Sequence, residues 1–200
     1  MNIYRFALVF SCSALFMAIV LSCNTPYTNP RKKGYFKIDF PEKKYQLFNE
    51  PGYPYSFEYP EYSSIVKDSS FFDTKAGDYW INIDFPQFGS RIYISYKSVN
   101  KENFDSLIND GYKMAYTKHT EVATGINDLP IKTANGVEGV YFSLSGNTAT
   151  ANQFFVTDST RHFLRGALYF NASPNEDSLS IVNEYLKKDL QHLINTLKWK

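Results

Sequence analysis

The first 23 residues divide into a short basic start, a long apolar run and a cysteine. The start carries one positive charge, at Arg5, and Phe6–Leu21 is apolar apart from a Ser-Cys-Ser stretch near its centre. No acidic residue occurs before Asp39. A basic start and an apolar run are typical of a signal peptide. The run of 16 residues is shorter than the roughly 20 that cross a bilayer as a helix, so the pattern favours a signal over a membrane span.

The end of the apolar run indicates what happens to this signal. Val20-Leu21-Ser22-Cys23 resembles a bacterial lipobox, although Val stands where Leu is commoner. The resemblance implies cleavage before Cys23 and acylation of that cysteine with fatty acids such as palmitate. Several acyl chains would anchor the protein stably, because each buried methylene contributes about 0.8 kcal/mol. The alternatives are an uncleaved anchor and an ordinary signal with an incidental cysteine.

A polar tether follows the cysteine. Asn24–Gly34 contains two prolines and a glycine and has no periodicity, as linkers do. Some bacterial groups use an acidic cluster here to send lipoproteins to the cell surface; this segment has no acid, so we expect it to face the periplasm. Which membrane holds the anchor stays open. We predict a signal peptide over 1–22, a lipid-anchored tether over 23–34 and a single domain over 35–200.

Alternating apolar and polar positions predict that most of the domain consists of strands. Residues 35–40 alternate and precede Pro41, which predicts a short edge strand or a strap over the domain. Turn signals such as Asn135-Gly136 leave short links between later strands and favour antiparallel neighbours. The other predicted strands are Tyr53–Tyr59, Trp80–Phe85, Arg91–Tyr96, Val137–Ser145, Asn152–Thr157 and Arg161–Phe170.

Two segments have the period of a helix. Lys101–Lys118 carries apolar residues on one face, with Asn100 as its predicted N-cap and Gly111 where the helix could approach a sheet closely. Ser173-Pro174-Asn175-Glu176 is a capping box with Ser173 as the predicted cap. It opens a second helix with an apolar stripe that predicts a core face, made of Leu179, Val182, Leu186, Leu190, Leu193 and Leu197.

The order of these elements predicts the fold class. Strands, a helix, more strands and a final helix favour an α+β fold in which two main helices pack on an antiparallel sheet. The order also resembles the sandwich shared by PsbP, Mog1 and DcrB-type proteins. A likeness of this kind concerns the fold and implies no function.

Composition excludes several classes of function. The chain has 21 Lys and Arg against 20 Asp and Glu, a net charge of +1, and no concentrated basic face, so we expect no nucleic acid as partner. Cys12 and Cys23 are the only cysteines and both precede the domain. We therefore expect neither a disulfide framework nor a cysteine zinc site in the domain.

The histidines follow no metal-ligand spacing. His119, His162 and His192 are far apart in sequence, and the strand pattern predicts a cross-strand role for His162. We expect His192 to lie at the surface or the core boundary. The calcium-like run Asp73–Asp78 has Lys75 where an oxygen ligand is needed, which favours a polar turn. Neither a metal nor a cofactor is predicted.

Three acids fall within strand patterns, namely Glu58, Asp84 and Glu138. Two carboxylates facing one pocket could carry out acid–base chemistry, but solvent-facing positions on half-buried strands are the simpler interpretation. The chain contains no catalytic motif such as a nucleophile elbow or a P-loop. We therefore do not predict an enzyme.

Aromatic residues are concentrated at the start of the domain. Five of them fall within ten residues, and two interpretations stay open: exposed tyrosines at an interface, or aromatic cross-strand pairs in a sheet. The five are Tyr53, Tyr55, Phe57, Tyr59 and Tyr62.

The lipobox, the segment KGYFKIDFPEKKY that ends at Tyr45, and YPYSFEYPEY over Tyr53–Tyr62 together resemble the gliding motility lipoprotein GldD family. The resemblance implies a non-enzymatic, lipid-anchored envelope protein required for gliding motility and for the associated type IX protein secretion. It also implies a structural or assembly role beside other gliding motility or secretion envelope proteins, and it supplies no catalytic residues.

We predict a partner interface on the segment before Tyr45 and on the Tyr-rich strand. The alternative function is a PsbP- or DcrB-like binding lipoprotein that is not tied to motility. A deep apolar pocket between sheet and helices would favour the alternative, and a solid core would favour the structural role. The predicted interface residues are Tyr35, Phe36, Asp39, Lys43, Tyr53 and Tyr55.

Overall fold

The structure is a computed structural model of the chain, and it describes residues 37–67, 77–117 and 119–200. The chain divides into two compact units, Met1–Ile38 and Asp39–Lys200. The elements described below all belong to the second unit, which begins slightly later than the predicted domain start at Tyr35. The predicted signal peptide, Cys23 and the tether lie outside the described residues.

A seven-stranded antiparallel sheet forms the centre of this unit. Its strands are β3 (Ser64–Lys67), β4 (Ile81–Phe85), β5 (Ser90–Ser98), β6 (Ala123–Lys132), β7 (Glu138–Gly146), β8 (Asn152–Thr157) and β9 (His162–Phe170). They lie in the order β3-β4-β5-β9-β8-β7-β6. Neighbours in the chain are mostly neighbours in the sheet, as the short links predict, and β9 crosses to pair with β5.

The C-terminal helix and a small second sheet cover one face of the large sheet. Helix α2 (Glu176–Thr196) turns its apolar stripe to this core, and Leu186 and Leu190 have no exposed surface. The small sheet has the order β1-β2-β10 and is also antiparallel. Its strands are β1 (Tyr45–Phe48), β2 (Tyr55–Pro60) and β10 (Lys198–Trp199).

Helix α1 (Phe104–Tyr116) packs on the opposite face. Successive side chains of a strand point to opposite faces, and Phe154 of β8 belongs to the α2 core whereas Phe155 belongs to the α1 core. Gly111 allows the close approach that the sequence predicts, since a Cβ there would lie 2.7 Å from the Phe155 ring. The α+β class with two helices on an antiparallel sheet is confirmed, and the helices lie on opposite faces.

Both predicted helix starts need correction. The cap of α2 is Asn175, whose side chain accepts a hydrogen bond from the Ser178 N–H at 3.0 Å, and not Ser173. Helix α1 begins after Asn103. The Asn100 side chain accepts hydrogen bonds from the N–H groups of Glu102 and Asn103, in the turn that precedes the helix. Asn175 has the extended backbone and the side-chain acceptor of an N-cap residue, whereas Asn103 makes no side-chain cap bond although α1 begins directly after it.

The strand predicted over residues 35–40 is not observed in its described part. Residues 37–40 have no regular secondary structure and are exposed. Pro41 restricts the backbone before it, and the chain joins a sheet only at β1. Four elements were not predicted as strands, namely β1, β3, β6 and β10.

Candidate functional site

Residues 39–44, called the strap from here on, lie across helix α2. The ring of Phe40 lies 4.4 Å from the ring of Tyr185 on α2 and 5.8 Å from the ring of Phe88. The Tyr185 hydroxyl donates to the carbonyl of Pro41 at 2.6 Å. The prediction that this segment lies as a strap over the domain is therefore confirmed from residue 39 onward.

A buried carboxylate on α2 holds the strap at its C-terminal end. Asp189 has 1% of its side chain exposed, and its oxygens accept from Lys43 at 2.6 Å, from the Tyr45 hydroxyl at 3.0 Å and from the Tyr62 hydroxyl. We call Lys43, Tyr45, Tyr62, Tyr185 and Asp189 the clamp. Three segments distant in sequence meet at this one carboxylate.

The ammonium group of Lys43 is fully engaged within the clamp. Besides Asp189, it donates to the Tyr62 hydroxyl at 3.0 Å and to the Tyr185 carbonyl at 2.9 Å. It also lies 3.3 Å from the centroid of the Tyr185 ring, within cation–π distance. Its three protons thus have three acceptors, which is what a partly buried charge requires.

The electrostatics of the clamp favour fixed protonation states. Burial lowers the pKa of Lys43, and Asp189 opposes that shift by hydrogen bonding and charge. Burial, followed by Asp189, raises the pKa of both Tyr45 and Tyr62 far above the ordinary value. The phenols therefore stay protonated at neutral pH and donate to the carboxylate, so the chemistry suits holding segments together.

Two predicted interface residues are not available to a partner in the way expected. Tyr55 has no exposed surface, and its hydroxyl donates to the Tyr79 carbonyl at 2.5 Å, so its assignment to an interface is wrong. Lys43 is engaged by the clamp. Alternation does not show which face of a strand or strap is covered, so the sequence alone does not distinguish these two residues from surface residues.

The structure describes two of the other four predicted interface residues. Tyr53 is half-buried and packs edge-on against Phe48 at 5.1 Å between ring centroids. Asp39 is exposed, and its carbonyl accepts from Gln87 at 2.7 Å. Tyr35 and Phe36 lie outside the described residues, as does the predicted lipid site at Cys23.

Most of the aromatic concentration packs inside the molecule. Phe57, like Tyr55, has no exposed surface, and the ring of Phe48 in β1 stacks on that of Phe57 in β2 at 5.1 Å. Tyr59 and Tyr62 are partly buried beside the same core. The interpretation as aromatic cross-strand packing therefore holds for this strand.

Two histidines occupy the environments expected from the sequence. His162 is buried, its Nδ1 lies 2.8 Å from the Tyr96 hydroxyl on the neighbouring strand, and its ring stacks on Trp199. His192 is half-buried at the core boundary, where its Nε2 lies 2.7 Å from a carboxylate oxygen of Glu58. The cross-strand role of His162 is confirmed.

The strand carboxylates have separate partners. Asp84 is bound by Arg91 through two hydrogen bonds, and Glu138 lies 3.4 Å from Lys132 at an exposed position. His119 is buried, and burial lowers its pKa. Over the described ranges no three acidic, histidine or cysteine side chains converge in a group that could hold a metal ion.

Asp189 and Tyr185 are the site residues that sequence reasoning missed. Asp189 follows Val182 and Leu186 at helical spacing and precedes Leu190. The sequence therefore places an acidic residue within the apolar stripe, which is a signal that this residue is buried. An acid on a core face has to be paired, because an isolated buried charge is strongly destabilising. Its partners come from remote segments and could not be identified from spacing.

The core between sheet and α2 is filled by side chains. Ile83, Leu164, Leu168 and Leu186 meet there without exposed surface. A cavity of about 140 Å³ lies beside the start of α2 and has a mixed polar and apolar lining that includes Asn183 and Leu179. In the part of the chain that the structure describes, the deep apolar pocket that would favour a binding lipoprotein is not observed in this core.

The family model for the gliding motility lipoprotein GldD matches residues 25–199. The chain belongs to this family. Membership in the GldD family makes it a membrane-anchored lipoprotein of the cell envelope with a role in gliding motility. None of the helices that the structure describes is long and apolar enough to cross a bilayer.

Comparison with solved structures concerns the fold alone. The solution structure of the PsbP protein CyanoP from Synechocystis sp. PCC 6803 is similar over 80% of this chain and 95% of its own, with 8% identity and a TM-score of 0.47. The comparison with curated proteins finds no match. At this identity and score, the likeness to PsbP carries no argument about function.

Proposed function

We propose that this member of the GldD family is a structural component of an envelope assembly that supports gliding and type IX protein secretion. A lipid on Cys23 holds the chain to its membrane, and the domain faces the periplasm. Its partners are other envelope proteins of gliding or secretion. The anchoring part of the proposal rests on the lipobox-like Val20-Leu21-Ser22-Cys23 and on family membership.

The clamp is the observation that supports a structural role. A structural component benefits from a firm attachment of the segment that follows its tether. The strap follows the tether in the chain, and Lys43 fixes it to the buried Asp189 at 2.6 Å. Removing one partner of a buried charge pair is strongly destabilising, so this attachment resists displacement.

The filled core is consistent with a structural role and gives no support to ligand storage. Pockets for small molecules are concave and mostly apolar, with volumes of about 300–1,000 Å³. The cavity beside α2 measures about 140 Å³ and falls below this range. We therefore propose no second function for this core.

Metabolic labelling with a clickable fatty acid tests the anchoring part of the proposal. Deletion strains would be complemented with the wild type, Cys23→Ala or Cys12→Ala, and label, gliding and secretion would be scored in the same cultures. Cys12 lies within the apolar run of the predicted signal, so Cys12→Ala is a matched control. We expect label on the wild type and on Cys12→Ala, and loss of label, gliding and secretion in Cys23→Ala.

Three results would contradict all or part of the proposal. Full gliding and secretion by an unlabelled Cys23→Ala protein would show that the domain works without its anchor. Label retained on Cys23→Ala would show that the lipid is attached elsewhere. Loss of gliding with normal secretion would limit the role to motility and overturn the secretion part.

A further inference from the structure

An open groove lies on the face of the large sheet that carries α1. Helix α1 packs over Phe155 and Phe163, toward the β7–β8 side, and no described helix covers the outer side chains of β4 and β5. The groove has a volume of about 860 Å³. Its charged lining residues are Asp84, Arg91 and Arg165, and its lining tyrosines are Tyr93 and Tyr169.

The cations in this groove are unequally neutralised. Arg91 binds both oxygens of Asp84, at 2.5 and 2.7 Å, so this pair is internally satisfied. Arg165 donates to the amide oxygen of Gln153 at 2.6 Å and interacts with Tyr169. Among the described residues, no carboxylate lies within ion-pair distance of Arg165.

A guanidinium group without a counter-charge is destabilising in this partly buried position. Arg165 is half-buried, and burial lowers its pKa even though Tyr169 acts in the opposite direction. A buried charge without a counter-charge is destabilising, and arginine binds carboxylates in a well-defined geometry with two hydrogen bonds. An anion entering the groove would supply the missing counter-charge.

We propose that this groove docks an acidic segment of a partner protein, with a carboxylate of that segment bound to Arg165 and its backbone lying along β5 and β9. The inference rests on the proposed structural role, for which it supplies a contact surface. Charge complementarity selects the occupant, because the lining has two arginines and one carboxylate, and Arg91 already engages that carboxylate.

The aromatic residues of the groove suit a protein partner. Tyr93 is 43% exposed, its ring packs edge-on against Tyr169 at 5.5 Å, and Arg91 lies 5.6 Å from the Tyr93 ring centroid. Tyrosine and arginine are the residue types that contribute most at protein interfaces. An extended segment could contact these rings and Arg165 together.

Binding of a matched peptide pair to the detergent-solubilised mature lipoprotein tests the proposal. One fluorescent ten-residue peptide alternates Glu and Val, and the other alternates Gln and Val; both are titrated by anisotropy. We expect the Glu peptide to bind at least about tenfold more tightly. Arg165→Gln and Tyr93→Ala should each weaken it by about tenfold, while Arg161→Gln, an exposed arginine just before β9, should change it less than about twofold.

Several outcomes would overturn the inference. They are equal affinity for the two peptides, an affinity that Arg165→Gln and Tyr93→Ala leave unchanged, and stronger Arg165-dependent binding to phosphatidylglycerol vesicles or to an anionic glycan. Tyr93→Ala changes an exposed side chain, so it remains informative if Arg165→Gln does not fold. The assay measures neither gliding nor fatty-acid labelling, so its failure leaves the anchoring experiment unaffected.

Discussion

At the scale of single residues, Asp189 connects the strap to the helix that it crosses. Its carboxylate accepts from Lys43, Tyr45 and Tyr62, and its side chain is almost completely buried. The sequence could indicate that an acid at this position needs partners, because Asp189 falls on an apolar stripe. It could not identify the partners, since they are more than a hundred residues away along the chain.

Adjacent lysines of the strap should differ in their effect on stability. Lys43 pairs with buried Asp189, whereas Lys44 pairs with Glu42 where both side chains are mostly exposed. We expect Lys43→Ala to lower the free energy of unfolding by about 2–3 kcal/mol, between the values for exposed and buried pairs. Lys44→Ala should lower it by less than about 0.5 kcal/mol. Urea denaturation measures both, and equal effects would mean that the clamp does not stabilise the domain.

At the scale of secondary-structure elements, regular periodicity was the reliable signal. The two helices and the strands β2, β4, β5, β7, β8 and β9 follow from alternation, turn signals or helical spacing. β6 was missed because its side chains are mostly exposed and it contains Pro130, so it shows little alternation. β10 has two residues and depends on pairing with β2, which local sequence cannot indicate.

The start of α2 provides a prediction at this scale. Asn175 accepts from the Ser178 N–H, while Ser173 precedes the helix and makes no described cap bond. We expect Asn175→Ala to lower the free energy of unfolding by about 1 kcal/mol. Ser173→Ala should be within about 0.5 kcal/mol of the wild type. Thermal unfolding of the two variants distinguishes the two candidate caps. A larger loss of stability for Ser173→Ala would show that Ser173 is the cap, as the sequence predicts.

At the scale of the whole molecule, family membership gives a lipoprotein with a role in gliding motility. The lipobox, the segment that ends at Tyr45 and the Tyr-rich segment Tyr53–Tyr62 together predict this family from the sequence. The groove was not predictable, because its residues come from three strands whose pairing order is not sequential. The clamp and the groove lie on different surfaces of the domain, one at the strap and the other on the outer face of β5 and β9.

The central claim is that the protein acts as part of an assembly, and its size in solubilised membranes tests that claim most directly. Membranes of gliding cells would be extracted with a mild detergent, and the native size of the lipoprotein would be measured by gel filtration and immunoblotting. We expect most of it in particles several times larger than a detergent-bound monomer of the 23.1 kDa chain. A monomer under the mildest extraction that preserves other envelope complexes would contradict the structural role.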